Sequence, residues 1–282
     1  IHPINVAVGG FYRAPKKDEL RKLIPGFEWG LQAAIDATRW VAGFDFPDFE
    51  RPYEMISVSH PDEYPMNEGR VVSTSGLSID VSEYETAFAE HHVAHSTALH
   101  SLRTTGQTSY HVGPLARVNL NREKLCDTAR RVADEVGFKS PCFNPFQAII
   151  ARGLEVIHAF DEALSILREY QPFSPSRIAW KHRSGEGCAA TEAPRGLIYH
   201  RYQVDEAGKV VLAKIVPPTS QNQRQIELDL IDWLPRIMGT DDQKTADECE
   251  RLIRSYDPCI SCSTHFLKLT VDRVTASVGG TR

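Results

Sequence analysis

Apolar and polar positions follow a helical register over most of this chain and a strand-like one late in it. From Asp18 to about Val41, Leu20, Leu23, Leu31 and Ile35 recur near helical spacing, which predicts a helix with a break at Pro25. Tyr53 to Asp80 is rich in Pro, Ser and Gly and reads as loop with short strands. Glu83 to Leu102 reads as helix, and Asn121 is expected to open another, with Arg122-Glu123-Lys124 in its first turn and Gly137 as its stop. The firmest periodicity runs from Pro145 to about Tyr170, with Ile149, Leu154, Ile157, Leu164 and Leu167 on one broad face. Between about Gly187 and Val216 the register changes. Gly196–Val204 and Lys209–Val216 flank Asp205-Glu206-Ala207-Gly208, a hairpin turn with glycine where an unusual φ is needed. Gln223–Met238 and Lys244–Ser255 return to helix. The fold class is therefore mainly α (α+β), a helical-bundle core with a small antiparallel β element and no domain boundary.

Length and charge add limits. The chain has 282 residues, 41% apolar and 24% charged, with a net charge of -5. That suits a globular protein and gives no basic footprint for nucleic acid. No window approaches the ~18 consecutive apolar residues of a membrane span. The chain opens on Ile1-His2-Pro3 with no basic segment of a secretory signal. Of its cysteines (Cys126, Cys142, Cys188, Cys249, Cys259 and Cys262), only the last two are close. In a long chain without an export signal, such a pair more often serves metal or redox chemistry than a disulfide.

The segment Asp257-Pro258-Cys259-Ile260-Ser261-Cys262-Ser263-Thr264-His265 is the sharpest feature. Two thiolates at C-x-x-C spacing can meet one soft ion, which favours zinc, copper(I), nickel or iron–sulfur chemistry. Half a zinc site and two buried structural thiols remain open, although the second half that zinc requires is absent from the sequence. Ser263 stands where haem attachment requires His. Glu192-Ala193-Pro194-Arg195-Gly196 alone is a short loop with an ion pair. Val216-Pro217-Pro218-Thr219-Ser220-Gln221-Asn222 alone is a Pro-Pro turn ending a strand, with Thr219 or Ser220 capping the next helix. His91 and His95 fall at i, i+4 and could share a helix face, but His92 occupies the Glu position of H-E-x-x-H, so a metal role there is the minor reading.

Taken together, D-P-C-x-x-C-x-x-H and E-A-P-R-G resemble the large, catalytic subunit of nickel–iron hydrogenases, over its C-terminal two-thirds. Gly9-Gly10-Phe11-Tyr12-Arg13-Ala14-Pro15 after His2-Pro3, Val112 to Asn119, and Asn144-Pro145-Phe146 with Arg152 and Glu155 are similar to the same family. The resemblance implies that family's large-subunit fold and a nickel ion held by four thiolates, with iron carrying CO and CN⁻. By position, Cys259 would be a terminal nickel ligand, Cys262 a nickel–iron bridge and His265 a magnesium ligand. Arg195 would hang over the open face, with Pro194 beside it and Asp257 as its partner. Thr219, or Ser220 if the alignment slips by one, would bond a cyanide next to Pro218. The implied activity is reversible oxidation of hydrogen, with electrons leaving through iron–sulfur clusters on a small subunit. The wording is most similar to cytoplasmic, NADP-linked sulfhydrogenases. That group implies diaphorase-type partners binding FAD and NAD(P), and a maturation endopeptidase that cuts after His265. Residues 1–265 would then be the large-subunit domain and 266–282 a propeptide.

The family's N-terminal R-x-C-G-x-C-x-x-x-H motif, its early proton-relay Glu and its N-terminal magnesium Glu are missing. The chain thus offers two of the four nickel thiolates. It is expected to be a piece of a longer subunit, or a split-gene product that pairs with an N-terminal piece, and to be inactive alone. Two alternatives stand beside this: a non-catalytic, hydrogenase-derived subunit of a redox complex, and a zinc protein using Cys259, Cys262 and His265.

Overall fold

A computed structural model describes residues 6–239, 241–259 and 270. Helix α1 (Lys17–Arg21) leads into α2 (Ile24–Ala42), with Pro25 in the first turn of α2, where its missing N–H costs nothing. The break expected at Pro25 is this junction. Short strands β1 (Val6–Ala7) and β2 (Gly10–Phe11) pair ahead of them.

Strands β3 (Ile56–Ser59), β4 (Arg70–Ser73) and β5 (Ser78–Ile79) form an antiparallel sheet in the predicted loop-and-strand region. The helix expected over Glu83–Leu102 is not formed. Only α3 (Tyr84–Ala87) is helical, and β6 (Phe88–His91) then pairs with β7 (His100–Arg103), Phe88 opposite Arg103 and His91 opposite His100. Tyr84 and Phe88 share a helical face. Beyond Phe88, however, the His-rich stretch has no apolar stripe on which a helix could be buried.

A second correction concerns Asn121, which ends α4 (Pro114–Asn121) and is followed by a single 3₁₀ turn, Arg122–Lys124, instead of a helix running on to Gly137. Its buried amide donates to Ser57 Oγ, Val58 O and Arg117 O, tying α4 to β3. The next helix, α5 (Asp127–Glu135), starts behind Cys126, whose sulfur accepts from the Ala129 N–H, and Gly137 follows its end.

Helix α6 (Ala148–Glu169) crosses α2 in antiparallel sense. Gly30 lies against Phe160 and Gly153 against Thr38, so closely that a Cβ on either glycine would fall about 2.5 Å from its neighbour. Leu154, Ile157, Leu164 and Leu167 are buried as expected, whereas Ile149 lies on the exposed side. Together α2, α4, α5 and α6 enclose the larger core.

Strands β8 (Gly185–Ala193), β9 (Gly196–Val204) and β10 (Val210–Val216) form the predicted antiparallel island and share a second core with β3 and β4. Helices α7 (Pro218–Ile237) and α8 (Asp242–Ser255) complete the described chain, with Trp233 and Leu252 packed around Phe49 and Phe146. Among the described residues no helix is long and apolar enough to cross a membrane.

Candidate metal centre

Three chain segments meet in one corner: the β8–β9 turn, the first turn of α7 and the segment leaving α8. Each is placed by contacts that can be followed residue by residue.

Pro194 and Arg195 form the tip of the β8–β9 hairpin, between the paired Ala193 and Gly196. Proline before the tip residue and glycine after it suit a tight turn. Gly196 (φ +134) and Gly113 (φ +124) bring this tip against the start of α4. A Cβ on Gly196 would fall 2.6 Å from Val112 Cγ2, and one on Gly113 would fall 3.0 Å from the Arg195 carbonyl.

Beneath the tip lies Arg117, with a side chain 3% exposed. It donates to Glu155 through Nε (2.6 Å) and Nη2 (2.7 Å), and to Glu192 through Nη1 (2.9 Å). Its remaining bonds go to the carbonyls of Ala193 (2.7 Å) and Pro194 (3.1 Å). Tyr64 donates to Glu155, and the Val58 N–H to Glu192. Burial works against the Arg117 charge, but the two carboxylates outweigh it and hold it well above its ordinary range. With two carboxylates sharing one buried cation, burial pushes the Glu192 carboxyl up to about 7 despite Arg117.

The first turn of α7 is polar yet buried: Thr219, Ser220, Gln221 and Asn222 are each at most 3% exposed. Asn222 clips Val112, accepting its N–H (2.8 Å) and donating to its carbonyl (3.0 Å). Gln221 donates to Leu197 O and Val216 O. Ser220 Oγ is spent on Pro217 O (2.9 Å), so it does not face the corner. Thr219 Oγ1 accepts the Cys259 N–H at 3.2 Å. Neither hydroxyl caps α7, whose N-cap position is Pro217. Pro218 is buried behind them, while Pro194 is exposed at its turn.

The approach of Cys259 follows from the end of α8. Tyr256 is buried against His111 and donates to Asp229 Oδ2 (2.5 Å), which Tyr53 also reaches (2.7 Å). Asp257 takes φ +50, the left-handed geometry that ends helices, and Pro258 prevents the helix from continuing. This turn presents the Asp257 carbonyl to Arg195 Nε at 2.7 Å and its Oδ1 to Arg195 Nη2 at 3.5 Å. Arg152 Nη2 lies 3.9 Å from Asp257 Oδ2, while its Nε is buried with no hydrogen-bond partner. Burial, with Arg117 and Arg195 nearby, lowers the Arg152 pKa.

Cys259, Thr219, Arg195 and Asp257 are thus brought together, and Cys259 is half-buried. Cys262 and His265 lie outside the described residues. Cys126, Cys142, Cys188 and Cys249 are separate free thiols placed elsewhere in the fold. Sequence reasoning missed Arg117, Asn222 and the Tyr256–Asp229 tie. The signals were the run Val112 to Asn119, which contains Arg117, and for Asn222 a helix start, Thr219 to Asn222, with four polar residues and no apolar one.

The chain matches the family model described as nickel-dependent hydrogenase over residues 103–265. It belongs to the nickel-dependent hydrogenase family. Among the curated proteins it is similar to is sulfhydrogenase 2 subunit alpha of Pyrococcus furiosus, 30% identical over 95% of this chain and 63% of that protein. The NAD-reducing hydrogenase HoxS subunit beta of Cupriavidus necator is 30% identical over 57% of this chain and 35% of its own length. Among solved structures, an NAD⁺-reducing NiFe-hydrogenase in the H₂-reduced state superposes with a TM-score of 0.76 at 20% identity, covering 93% of this chain and 63% of that one. The Ni-Fe-Se hydrogenase of D. vulgaris Hildenborough in the reduced state gives a TM-score of 0.60 at 18% identity, covering 90% and 63%. These likenesses establish the nickel–iron hydrogenase large-subunit fold. The chain spans 63% of the length of the sulfhydrogenase alpha subunits it matches.

Proposed function

We propose that this chain forms the C-terminal part of the catalytic subunit of a cytoplasmic hydrogenase that interconverts H₂ with two protons and two electrons. The observation that carries this reading is the convergence of Cys259, Thr219, Arg195 and Asp257 from three distant segments.

The donor set suits an anionic, thiolate-held metal group. A thiol stands beside two guanidiniums, those of Arg195 and Arg152, both turned to the carboxylate of Asp257. Cys259 and Cys262 would bind nickel, and the two remaining thiolates would come from the N-terminal part of the subunit. A nickel–iron group bound there, with CO and CN⁻ on iron, supplies the electrophile and the two-electron redox capacity for heterolytic cleavage of H₂.

The residues of this chain would then divide the rest of the task. Cys259 Sγ would take up the proton released from H₂. Arg195 turns its Nε and Nη2 to Asp257, which would leave Nη1 to donate to a cyanide nitrogen. Thr219, bonded to the Cys259 N–H, fixes the first thiolate and offers its hydroxyl proton to a second cyanide. Ser220, turned to Pro217, has no such part. His265 would hold magnesium, an endopeptidase would cut after it to release 266–282, and electrons would leave through a small subunit's iron–sulfur clusters toward FAD- and NAD(P)-binding diaphorase partners.

The test is the assembled holoenzyme, assayed for nickel and for the infrared bands of CO and CN⁻. One nickel per subunit, with both bands lost in Cys259→Ser, is the expected result. A holoenzyme without nickel and indifferent to Cys259→Ser would instead be a structural subunit.

A further inference from the structure

The failed helix prediction around the histidines leaves a different arrangement. The loop from β6 to β7 carries His95, and β7 opens with His100. Both face Glu227, which lies two turns along α7 from Thr219. His95 Nε2 is 2.7 Å and His100 Nε2 3.4 Å from Glu227 Oε1, and one ligand atom from each residue lies within 4.8 Å of the others.

We propose that His95, His100 and Glu227 form a second metal site, distinct from the Cys259 corner, for a divalent transition-metal ion of the zinc class. Two imidazoles and one carboxylate select such an ion over the all-oxygen preferences of calcium or magnesium. Metal–ligand bonds of about 2.0–2.1 Å in a tetrahedron place ligand atoms about 3.3 Å apart, so small adjustments of the observed spacings are enough.

An independent observation points the same way. The His100 side chain is 2% exposed, yet its Nε2 has no hydrogen-bond partner. A buried, unpartnered ring nitrogen is costly, and a metal ion in this position gives it a partner. Burial also lowers the His100 pKa, with Glu227 opposing. Glu227 Oε2 is held by Arg224 Nη1 at 3.0 Å, which turns Oε1 toward the histidines. His95 is 64% exposed, so the ion can arrive from solvent and keep an open coordination position. Such an ion would fasten the β6–β7 loop to α7.

Cobalt(II) is the probe, because its visible spectrum separates nitrogen–oxygen sites from thiolate sites. The full chain is titrated as the Cys259→Ser/Cys262→Ser variant, which removes the C-x-x-C pair. The expected result is one bound ion per chain, with visible d–d bands and no thiolate charge-transfer band. His95→Gln and Glu227→Gln should each weaken binding about 100-fold, the loss that even supporting residues of metal sites reach. His92→Gln, an exposed neighbour outside the cluster, should bind like the parent. His95 is exposed, so its variant tests the site even where substituting His100 impairs folding. A double-serine variant that binds no cobalt, or one whose affinity is unchanged by His95→Gln and Glu227→Gln, overturns the proposal.

Discussion

Two arginines meet at the β8–β9 turn and are held in opposite ways. All five N–H donors of Arg117 are bonded, to two carboxylates and two backbone carbonyls, and its side chain is 3% exposed. Arg195 is 40% exposed, bonded tightly only through Nε, with a 3.5 Å reach from Nη2 to Asp257. The carbonyls that Arg117 grips belong to Ala193 and Pro194, so the locked arginine fixes the root of the loose one. The difference teaches how this fold separates holding from doing. A guanidinium that has used every donor can only pin, whereas one anchored at its base still has a donor to give.

Cutting the pin should have the largest effect. Arg117→Leu leaves Glu155 and Glu192 buried without their cation and should cost about 3–5 kcal/mol, read from urea midpoints. A loss near that of an ordinary surface change would mean the cluster is not a pin. Arg195→Lys should invert the result. Turnover of the assembled enzyme falls on the order of 100-fold, as when one oriented donor is removed from a reaction site, while the urea midpoint barely moves. An unchanged turnover would remove Arg195 from the chemistry.

The pinned cluster should also have a pH signature. Glu192 titrates near 7 in the fold, against an ordinary 4.5. Between those values the folded chain holds a proton that the unfolded chain has released. Stability therefore falls as pH rises through that window, by at most about 1.4 kcal/mol per pH unit. Glu192→Gln should flatten this slope, and a slope that survives the substitution assigns the proton elsewhere. The smallest effect concerns Thr219. Thr219→Val takes the acceptor from the Cys259 N–H and should cost about 1 kcal/mol with faster exchange of that amide, whereas Thr219→Ser should preserve both.

The sequence made the parts with strong local signals legible: α2, α6 and the β8–β10 meander, from periodicity and turn chemistry. It also made Arg195, Asp257, Thr219 and Cys259 legible, because short motifs carry them. Long-range pairing was hidden. His100 returns to pair with His91 through contacts that no local window contains, so a His-rich run with two apolar residues at helical spacing read as helix. Asn121 looked like a helix start because asparagine is a good cap, but its amide is spent on β3. The supporting residues were hidden for the same reason: Arg117 and Asn222 matter through partners far along the chain.

The corner also has an order in time. Asn222 on Val112, and Arg117 on Glu192, Ala193 and Pro194, are contacts among residues that leave the ribosome before α8. Cys259 arrives after them all, and the left-handed Asp257 swings it onto a surface whose Asn222 and Arg117 contacts can already be made. At roughly 5–20 residues per second of synthesis, the receiving face precedes its thiol by seconds. The segment leaving α8 is set against walls made before it, and whatever controls the setting of that piece controls when the corner closes.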